Sequence, residues 1–462
     1  MKSSELERSP DEQDEQEEIM TLFIGPNLFI DDYLIAESRG LTRTTHQPEK
    51  LPDPVLDHDR PVPYMKVLYD DTINRYRMWY NAMAPKHGVA YAESQDGIKW
   101  VMPDLGLSVE NYIDAPFGHW GFTLIDEGPG YDEEKRRYKM AWYEGRGMCV
   151  AFSSDGLRFR PHDANPVIPT TLPDSDENVI SDIVDIAYDP LRGVYLLGCK
   201  LWRGGYPGKP KHASEGMRRT VGVSTSKDFV NWAKPTEIVT SDPNNGQEEF
   251  YGFKPKIRGD FYIGFLRVLR DDLPATPGGP VEGIGWTELL SSRDGQKWTR
   301  HQEPFIDRDS REGRWDHAMA WFGDIITVDG KEYVYYGGYR AGHKIRAQRG
   351  DRSIGMGVLR MNGFVSRDAD TDGGFLKTPP AVLPGNLPTV NAVVRGEIRV
   401  RLVDTNGEVL PGFDWADCVA LQGDSLAHRV KWRENAFVPK GKVVSLEFMM
   451  NDVELYGFDF AD

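Results

Sequence analysis

The chain has 462 residues and a formal net charge of −17 at pH 7. This acidity argues against a nucleic-acid backbone or an anionic membrane as the main partner. The length exceeds that of an ordinary single domain, so we expect two domains.

The N-terminus and the cysteines indicate the compartment. Residues 3–18 hold eight acids and one base, which predicts a disordered tail over 1–20. No apolar run reaches 18 residues and no charged-then-hydrophobic signal is present, so we expect neither a membrane span nor secretion. Three cysteines at unrelated spacings, Cys149, Cys199 and Cys418, favour free thiols in the cytoplasm.

Five copies of a hairpin pattern follow the tail. Each copy runs from an acidic or glycine turn into an apolar strand that contains a tyrosine. The tyrosines of successive copies are 57 to 71 residues apart: Tyr76, Tyr138, Tyr195, Tyr262 and Tyr333. The first four are followed by a Ser-x-Asp-Gly-x-x-aromatic turn, in which the third copy has Phe229 in place of Gly. Asp-Gly suits the positive φ of a tight hairpin. The period, with four strands per unit, predicts a five-bladed β-propeller over 21–370.

The two ends of this array differ from its middle. No Asp-Gly-aromatic turn follows 354–364, so the last blade lacks an outer strand, which we expect the early strand 27–38 to supply. Such closure removes exposed strand edges. Between 371 and 462, segments such as 396–404 and 443–450 alternate apolar and polar residues, which predicts a C-terminal β-sandwich and an all-β protein.

Acidic residues stand at the starts of three of the five predicted inner strands, which line the channel of a propeller. They are Asp182 and Asp185, Glu248 and Glu249, and Asp316. In a partly dry channel, carboxylates raise one another's pKa, so one can be protonated beside an ionised one. Glycosidic cleavage needs such a pair. We expect Glu249 to be the general acid, Asp182 or Asp185 the base or nucleophile, and Asp316 a residue that tunes pKa or holds a sugar hydroxyl; turn capping or binding of a structural cation is the alternative for each.

Other residues near the predicted channel mouths are candidates for substrate binding. Three histidines can position sugar hydroxyls: His119, His317 and His343. They have no metal-binding spacing, so no zinc site is predicted. Four tryptophans can stack on a sugar ring or pack between blades: Trp120, Trp286, Trp315 and Trp321. Arg267 and Arg270 contact either substrate or nearby acids. The sequence has no cofactor motif, and a structural calcium ion in the channel is the one cofactor that the carboxylates suggest.

Several motifs carry a resemblance that covers nearly the whole chain. They are L-F-I-D-D-Y-L-I, H-Q-P-E-K, D-P-V-L, S-R-D-G-x-x-W, W-D-x-x-M, L-P-G-F-x-x-x-D-C and G-D-S-L-x-H-x-V-x-W. On these the chain resembles the five-bladed propeller glycoside hydrolases related to families 32 and 43, and in particular a family 32-like bacterial group. The resemblance implies carboxylates from separate blades and a supporting C-terminal β-sandwich.

The family 32 motifs are only partly matched here. W-M-N-D-P-N-G has no counterpart beyond the pair Asp31-Asp32, which makes Asp32 a further catalytic candidate. R-D-P is matched loosely by Arg270-Asp271-Asp272, and the Glu-Cys motif is missing.

The sequence therefore predicts a glycosidase that acts on a furanoside or a small oligosaccharide. Two alternatives stay open. A carbohydrate-binding propeller without catalysis has the same repeats. A glycoside phosphorylase needs a basic phosphate pocket, for which the available residues are Arg267, Arg270, Arg340 and Lys344.

Overall fold

The structure is a computed structural model that describes residues 19–58, 61–85, 87–107, 111–116, 120–171, 179–208, 215–343, 345, 351–385, 387–433, 438 and 440–461. Residues 1–18 of the predicted tail over 1–20, together with His119 and Lys344, lie outside these residues. The described residues form strands and one short 3₁₀ turn, Glu134–Arg136, with no α-helix. The prediction of an all-β protein is confirmed.

Two compact units divide the chain. One comprises residues up to Thr42 together with Arg367–Asp462, and the other is Arg43–Ser366. No helix in the described part of the chain is long and apolar enough to cross a membrane.

Five short strands precede the repeats: β1 Met20–Thr21, β2 Asn27–Leu28, β3 Glu37–Arg39, β4 Thr42–Thr45 and β5 Glu49–Lys50. The first repeat contains β6 Pro61–Asp70, β7 Arg75–Ala82, β8 Gly88–Ser94 and β9 Trp100–Val101. The second contains β10 Phe122–Asp126, β11 Tyr138–Tyr143, β12 Gly147–Ser153, β13 Arg160–Pro161 and β14 Ile168–Pro169. The third contains β15 Val184–Asp189, β16 Val194–Arg203, β17 Arg218–Ser226 and β18 Thr236–Val239.

The fourth repeat contains β19 Glu248–Arg258, β20 Phe261–Arg270, β21 Ile284–Ser292 and β22 Thr299–Ile306. The fifth contains β23 Met319–Val328, β24 Lys331–Tyr339 and β25 Arg352–Arg360. The remaining strands are β26 Val365–Ala369, β27 Gly374–Lys377, β28 Ala381–Val382, β29 Leu387–Val403, β30 Leu421–Arg429 and β31 Val443–Ala461.

Within each repeat, strands that follow one another in sequence pair antiparallel, as they do from β6 to β9, except that β14 pairs with β12 and not with β13. Each repeat tyrosine lies on the second strand of its group. First strands of neighbouring groups contact one another from the first group to the fourth, and β23 of the fifth group contacts β6 of the first. The Val67 amide of β6 donates to Asp324 Oδ2 of β23 at 2.8 Å, and the Ile186 amide of β15 donates to Thr123 Oγ1 of β10 at 3.2 Å.

The Asp-Gly turns have the backbone that the sequence requires. Gly97, Gly156 and Gly295 have φ of 73°, 74° and 72°. In the third copy Phe229 takes the same conformation, with φ of 68°. Its ring is buried and packs on Tyr195 at 5.2 Å, so burial offsets the strain of a left-handed non-glycine residue.

The outer strand of the fifth group differs from the prediction. β5 (Glu49–Lys50) pairs with β25, whereas the early segment 27–38 does not. Instead β2 pairs with β31 and β3 with β27, and Phe29 is buried in the hydrophobic core of the other unit. An apolar side chain contributes most to the stability of the fold where its whole surface is removed from water. The burial of Phe29 therefore explains why this segment belongs with the C-terminal strands.

In the unit that contains the C-terminus, the long strands β29 and β31 pair antiparallel, and β30 pairs with the other edge of β29. Buried side chains from these strands, including Val400 and Phe448, form its core with Phe29 and Leu376. The predicted strands 396–404 and 443–450 are therefore parts of longer strands.

Candidate active site

Three carboxylates and two cations come together at one edge of the third and fourth repeats. Glu249 is the second residue of β19 and Asp182 precedes β15, while Asp271 directly follows β20. Lys200 lies near the end of β16 and Arg219 near the start of β17. The Lys200 ammonium and the Arg219 guanidinium lie 4.4 and 5.5 Å from the centroid of the same ring, Tyr251, which places the ion pairs of these two cations next to each other. We call these five residues the carboxylate cluster.

Asp182 is held ionised and remains accessible. The Lys200 ammonium contacts its Oδ1, and the Ser181 hydroxyl donates to the same oxygen at 3.0 Å. Burial alone would raise the pKa of Asp182, but the charge and hydrogen bonds of these partners lower it to about 2. Its side chain is 24% exposed. A carboxylate of this kind can act as a base or nucleophile.

Glu249 has the opposite tendency. It is fully buried, and Arg219 holds both of its oxygens, with Nη1 2.5 Å from Oε2 and the backbone amide donating to Oε1 at 3.1 Å. Burial raises the pKa of Glu249, Arg219 opposes this, and the nearby Asp271 charge adds to the rise. The net direction is upward, towards the protonated form.

Arg219 lies between two carboxylates. Its Nη1 is 3.8 Å from Asp271 Oδ2 as well as 2.5 Å from Glu249 Oε2. Asp271 in turn is 3.1 Å from His343 Nδ1. A small movement of one guanidinium can therefore change which carboxylate it neutralises.

Aromatic rings surround the cluster. Tyr251 stacks on Trp321 at 4.7 Å with 22° between the planes, and the His343 ring meets Tyr251 edge-on at 4.8 Å. Lys200 Nζ lies 4.4 Å from the Tyr251 centroid, and the Arg219 guanidinium lies 4.7 Å from that of Trp202. These cation–π contacts fix both cations beside the carboxylates. Trp321 is buried, so packing is its observed role.

Asp185 and Arg267 form a separate buried pair. Arg267 Nη1 is 2.7 Å from Asp185 Oδ2, and its Nε donates to the Phe322 carbonyl at 2.9 Å. Neither side chain is exposed. This arrangement suits a structural ion pair better than a nucleophile, and it leaves Asp182 as the accessible member of the two candidates.

Asp316 and His317 have partners of their own. Asp316 contacts Lys50 Nζ at 2.7 Å and the Tyr336 hydroxyl at 3.3 Å, in a cleft of about 440 Å³ that Trp315 also lines. His317 Nε2 lies 3.1 Å from Thr276 Oγ1.

The other predicted substrate-binding side chains are engaged as follows. Arg270 forms a bidentate pair with Asp272 at 2.8 and 2.9 Å, and Trp286 Nε1 donates to Glu288 at 2.8 Å. The Trp120 ring meets that of His87 edge-on at 4.9 Å. Asp32 belongs to the other unit, where it is 81% exposed and pairs with Arg367 at 2.7 Å. The predicted roles of these residues stay predictions.

Sequence reasoning missed Lys200, Arg219 and Asp271 as site residues. A signal existed for the cations, since Lys200 interrupts the apolar run of β16 and Arg219 is one of two arginines that open the otherwise uncharged strand β17. A charge inside an apolar strand requires a buried partner, which the pattern alone does not identify. Among the described residues, no three His, Cys, Asp or Glu side chains are grouped so as to hold a metal ion.

No protein-family model matches this sequence, and no curated protein matches it. Among solved structures the chain is similar to one described only as a glycoside hydrolase, at 15% identity and a TM-score of 0.46, over 72% of this chain and 92% of that one. A family 32 β-fructofuranosidase of Bombyx mori has 12% identity and a TM-score of 0.42, over 88% of this chain and 94% of that one. A thermostable family 43 glycoside hydrolase has 14% identity and a TM-score of 0.44, over 67% of this chain and 91% of that one. Families 32 and 43, which the sequence resembles, thus recur among its structural neighbours, and likeness at this level assigns no substrate.

Proposed function

We propose that the protein is a glycoside hydrolase built on a five-bladed propeller, with Glu249 as general acid and Asp182 as base or nucleophile. One observation carries this proposal. Asp182 is 24% exposed and paired with Lys200, Glu249 is fully buried and paired with Arg219, and both cationic partners lie over the Tyr251 ring. These surroundings shift the two pKa values in opposite directions, to about 2 for Asp182 and upward for Glu249. Such divergence is the requirement of acid–base cleavage of a glycosidic bond.

Proton donation requires that Glu249 first be released from Arg219. While both oxygens accept hydrogen bonds from Arg219, neither can carry the transferable proton. Asp271 lies 3.8 Å from the same guanidinium nitrogen and can accept it when substrate enters. Loss of the adjacent positive charge then raises the pKa of Glu249 further, so the carboxyl gains the proton that it donates to the leaving oxygen.

The test is sugar release from a panel of furanosides and pyranosides in phosphate-free buffer. Wild type is compared with Glu249→Gln, Asp182→Asn and Asp163→Asn, which removes an exposed acid as a matched control. We expect activity in wild type and the control and its loss in the other two. Full activity in Glu249→Gln would contradict the assignment of the acid.

Two further arms address the alternatives. Acceleration by phosphate, with a sugar phosphate as product, would identify a phosphorylase. Two of the residues named for that role, Arg267 and Arg270, are already paired with Asp185 and Asp272. Saturable sugar binding by calorimetry without turnover would identify a binding protein.

A further inference from the structure

A second charged cluster lies farther along the first strands of the repeats. It comprises Lys66 on β6, Lys254 and Lys256 on β19, and Asp324 on β23, and we call it the lysine cluster. The Asp324 carboxylate is 2.6 Å from Lys256 Nζ, 3.4 Å from Lys254 Nζ and 4.0 Å from Lys66 Nζ. Lys256 is seven positions beyond Glu249 on the same strand, which corresponds to about 20 Å. The lysine cluster is therefore distinct from the carboxylate cluster.

The charges in the lysine cluster do not balance. Three ammonium groups surround one carboxylate, and the Asp185–Arg267 pair adds no net charge. Asp324 and Lys254 are buried, and the side chains of Lys66 and Lys256 are only 21% and 17% exposed. Burial lowers the pKa of Lys254, and lowers that of Lys256 to about 7, although Asp324 favours the charged forms. An excess of buried positive charge is costly unless a counter-charge is present.

Hydrogen bonding identifies which ammonium groups still need acceptors. Lys254 Nζ donates to the carbonyls of Met65 and Gly323, at 2.7 and 2.8 Å, and lies 3.4 Å from Asp324 Oδ1. Within the described residues, Lys256 Nζ has Asp324 alone at hydrogen-bonding distance, and Lys66 Nζ has no acceptor that close. Lys66 is the one member of the cluster that lines an open cleft of about 590 Å³, so solutes reach the cluster from the Lys66 side.

We propose that the lysine cluster binds a small inorganic anion between the ammonium groups of Lys66 and Lys256. The anion accepts the hydrogen bonds that Asp324 leaves unmade and offsets the excess charge. The same geometry disfavours calcium, because three ammonium groups surround the only carboxylate of the cluster.

The experiment titrates wild type, Lys66→Met, Lys256→Met and the control Lys99→Met, which removes an exposed lysine. Thermal unfolding is followed with sodium chloride, phosphate or sulfate, below the lowered pKa of Lys256, and ionic strength is held constant with a bulky organic sulfonate. We expect a saturable rise in Tm with at least one anion in wild type and the control. Half-saturation should need about tenfold more anion in each cluster variant, because one of the two binding charges is gone.

The comparison among the three salts identifies the anion class. A Tm that follows ionic strength alone, or that rises equally in all four proteins, would overturn the proposal. Chlorine NMR on wild type provides a readout that needs no cluster variant. Line broadening that phosphate abolishes supports the site, and absence of both broadening and a saturable Tm rise refutes it.

Discussion

Two aspartates in the 43–366 unit pair with a lysine in different surroundings. Asp182 contacts Lys200, whose ammonium lies over Tyr251, two residues beyond Glu249 on β19. Asp316 contacts Lys50 in a cleft, with Tyr336 as its other partner. In the described part of the chain, only the first pair belongs to a cluster with a carboxyl of raised pKa. Under the proposed function, a lysine partner alone is insufficient for acid–base chemistry, which also needs a second carboxyl whose pKa is shifted in the opposite direction.

The largest expected effect separates these two aspartates directly. Asp182→Asn should lower kcat/KM by about 10²–10⁴-fold, because it removes the ionised partner of the acid. Asp316→Asn should change it by less than about tenfold, since its contacts lie within another cleft. Steady-state kinetics on the substrate found in the panel measures both. Equal losses in two natively folded variants would place Asp316 in the reaction and end the distinction.

The next effect concerns Asp185, three residues from Asp182. Arg267→Met leaves its carboxylate buried without a partner and should reduce the free energy of unfolding by about 3–5 kcal/mol. The control Arg158→Met breaks a largely exposed pair with Asp155 and should cost less than about 1 kcal/mol. Urea denaturation compares them. A small effect at Arg267 would show that the Asp185 carboxylate has another source of compensation.

Acid titration sharpens the assignment of Asp182. Its pKa is lowered from an ordinary 3.8 to about 2, so its stabilisation is fully present above pH 3.8 and is lost as the pH falls through 2. This amounts to about 2 kcal/mol. Unfolding free energies between pH 5 and 2 should fall less steeply in Asp182→Asn than in wild type. Parallel curves would mean that Asp182 is not the group that titrates.

The smallest effect is a displacement of the pH–rate profile. Lys200→Met removes the charge that lowers the pKa of Asp182, so burial dominates and the acid limb should move to higher pH. Lys50→Met, which frees Asp316 instead, should leave that limb in place. A shift in both variants would indicate a general charge effect.

Local sequence determined much of the strand pattern. The repeat tyrosines and the Asp-Gly turns identify hairpins because turn chemistry acts over a few residues, and each tyrosine lies on a second strand as the pattern implies. The exchange of Gly for Phe229 did not alter the turn, since its ring is buried on Tyr195. The partner of an isolated early strand is not a local property, and segment 27–38 was therefore assigned to the wrong sheet.

The candidate site was only half visible in the sequence. Glu249 and Asp182 were identifiable as acids at strand starts, and the structure brings them into one cluster. Lys200, Arg219 and Asp271 were not singled out from the sequence, because their importance depends on partners that are distant in sequence. Asp182 and Asp185 were equivalent candidates until burial and ion pairing distinguished them.

By itself, the sequence determined an all-β chain with repeated hairpins and acids at the starts of its strands, because propensity and turn geometry operate between near neighbours. Only the tertiary structure decided which acid is paired, which is buried and which remains open to solvent. Those properties arise from desolvation and from charges on other strands, as the opposite pKa displacements of Asp182 and Glu249 illustrate.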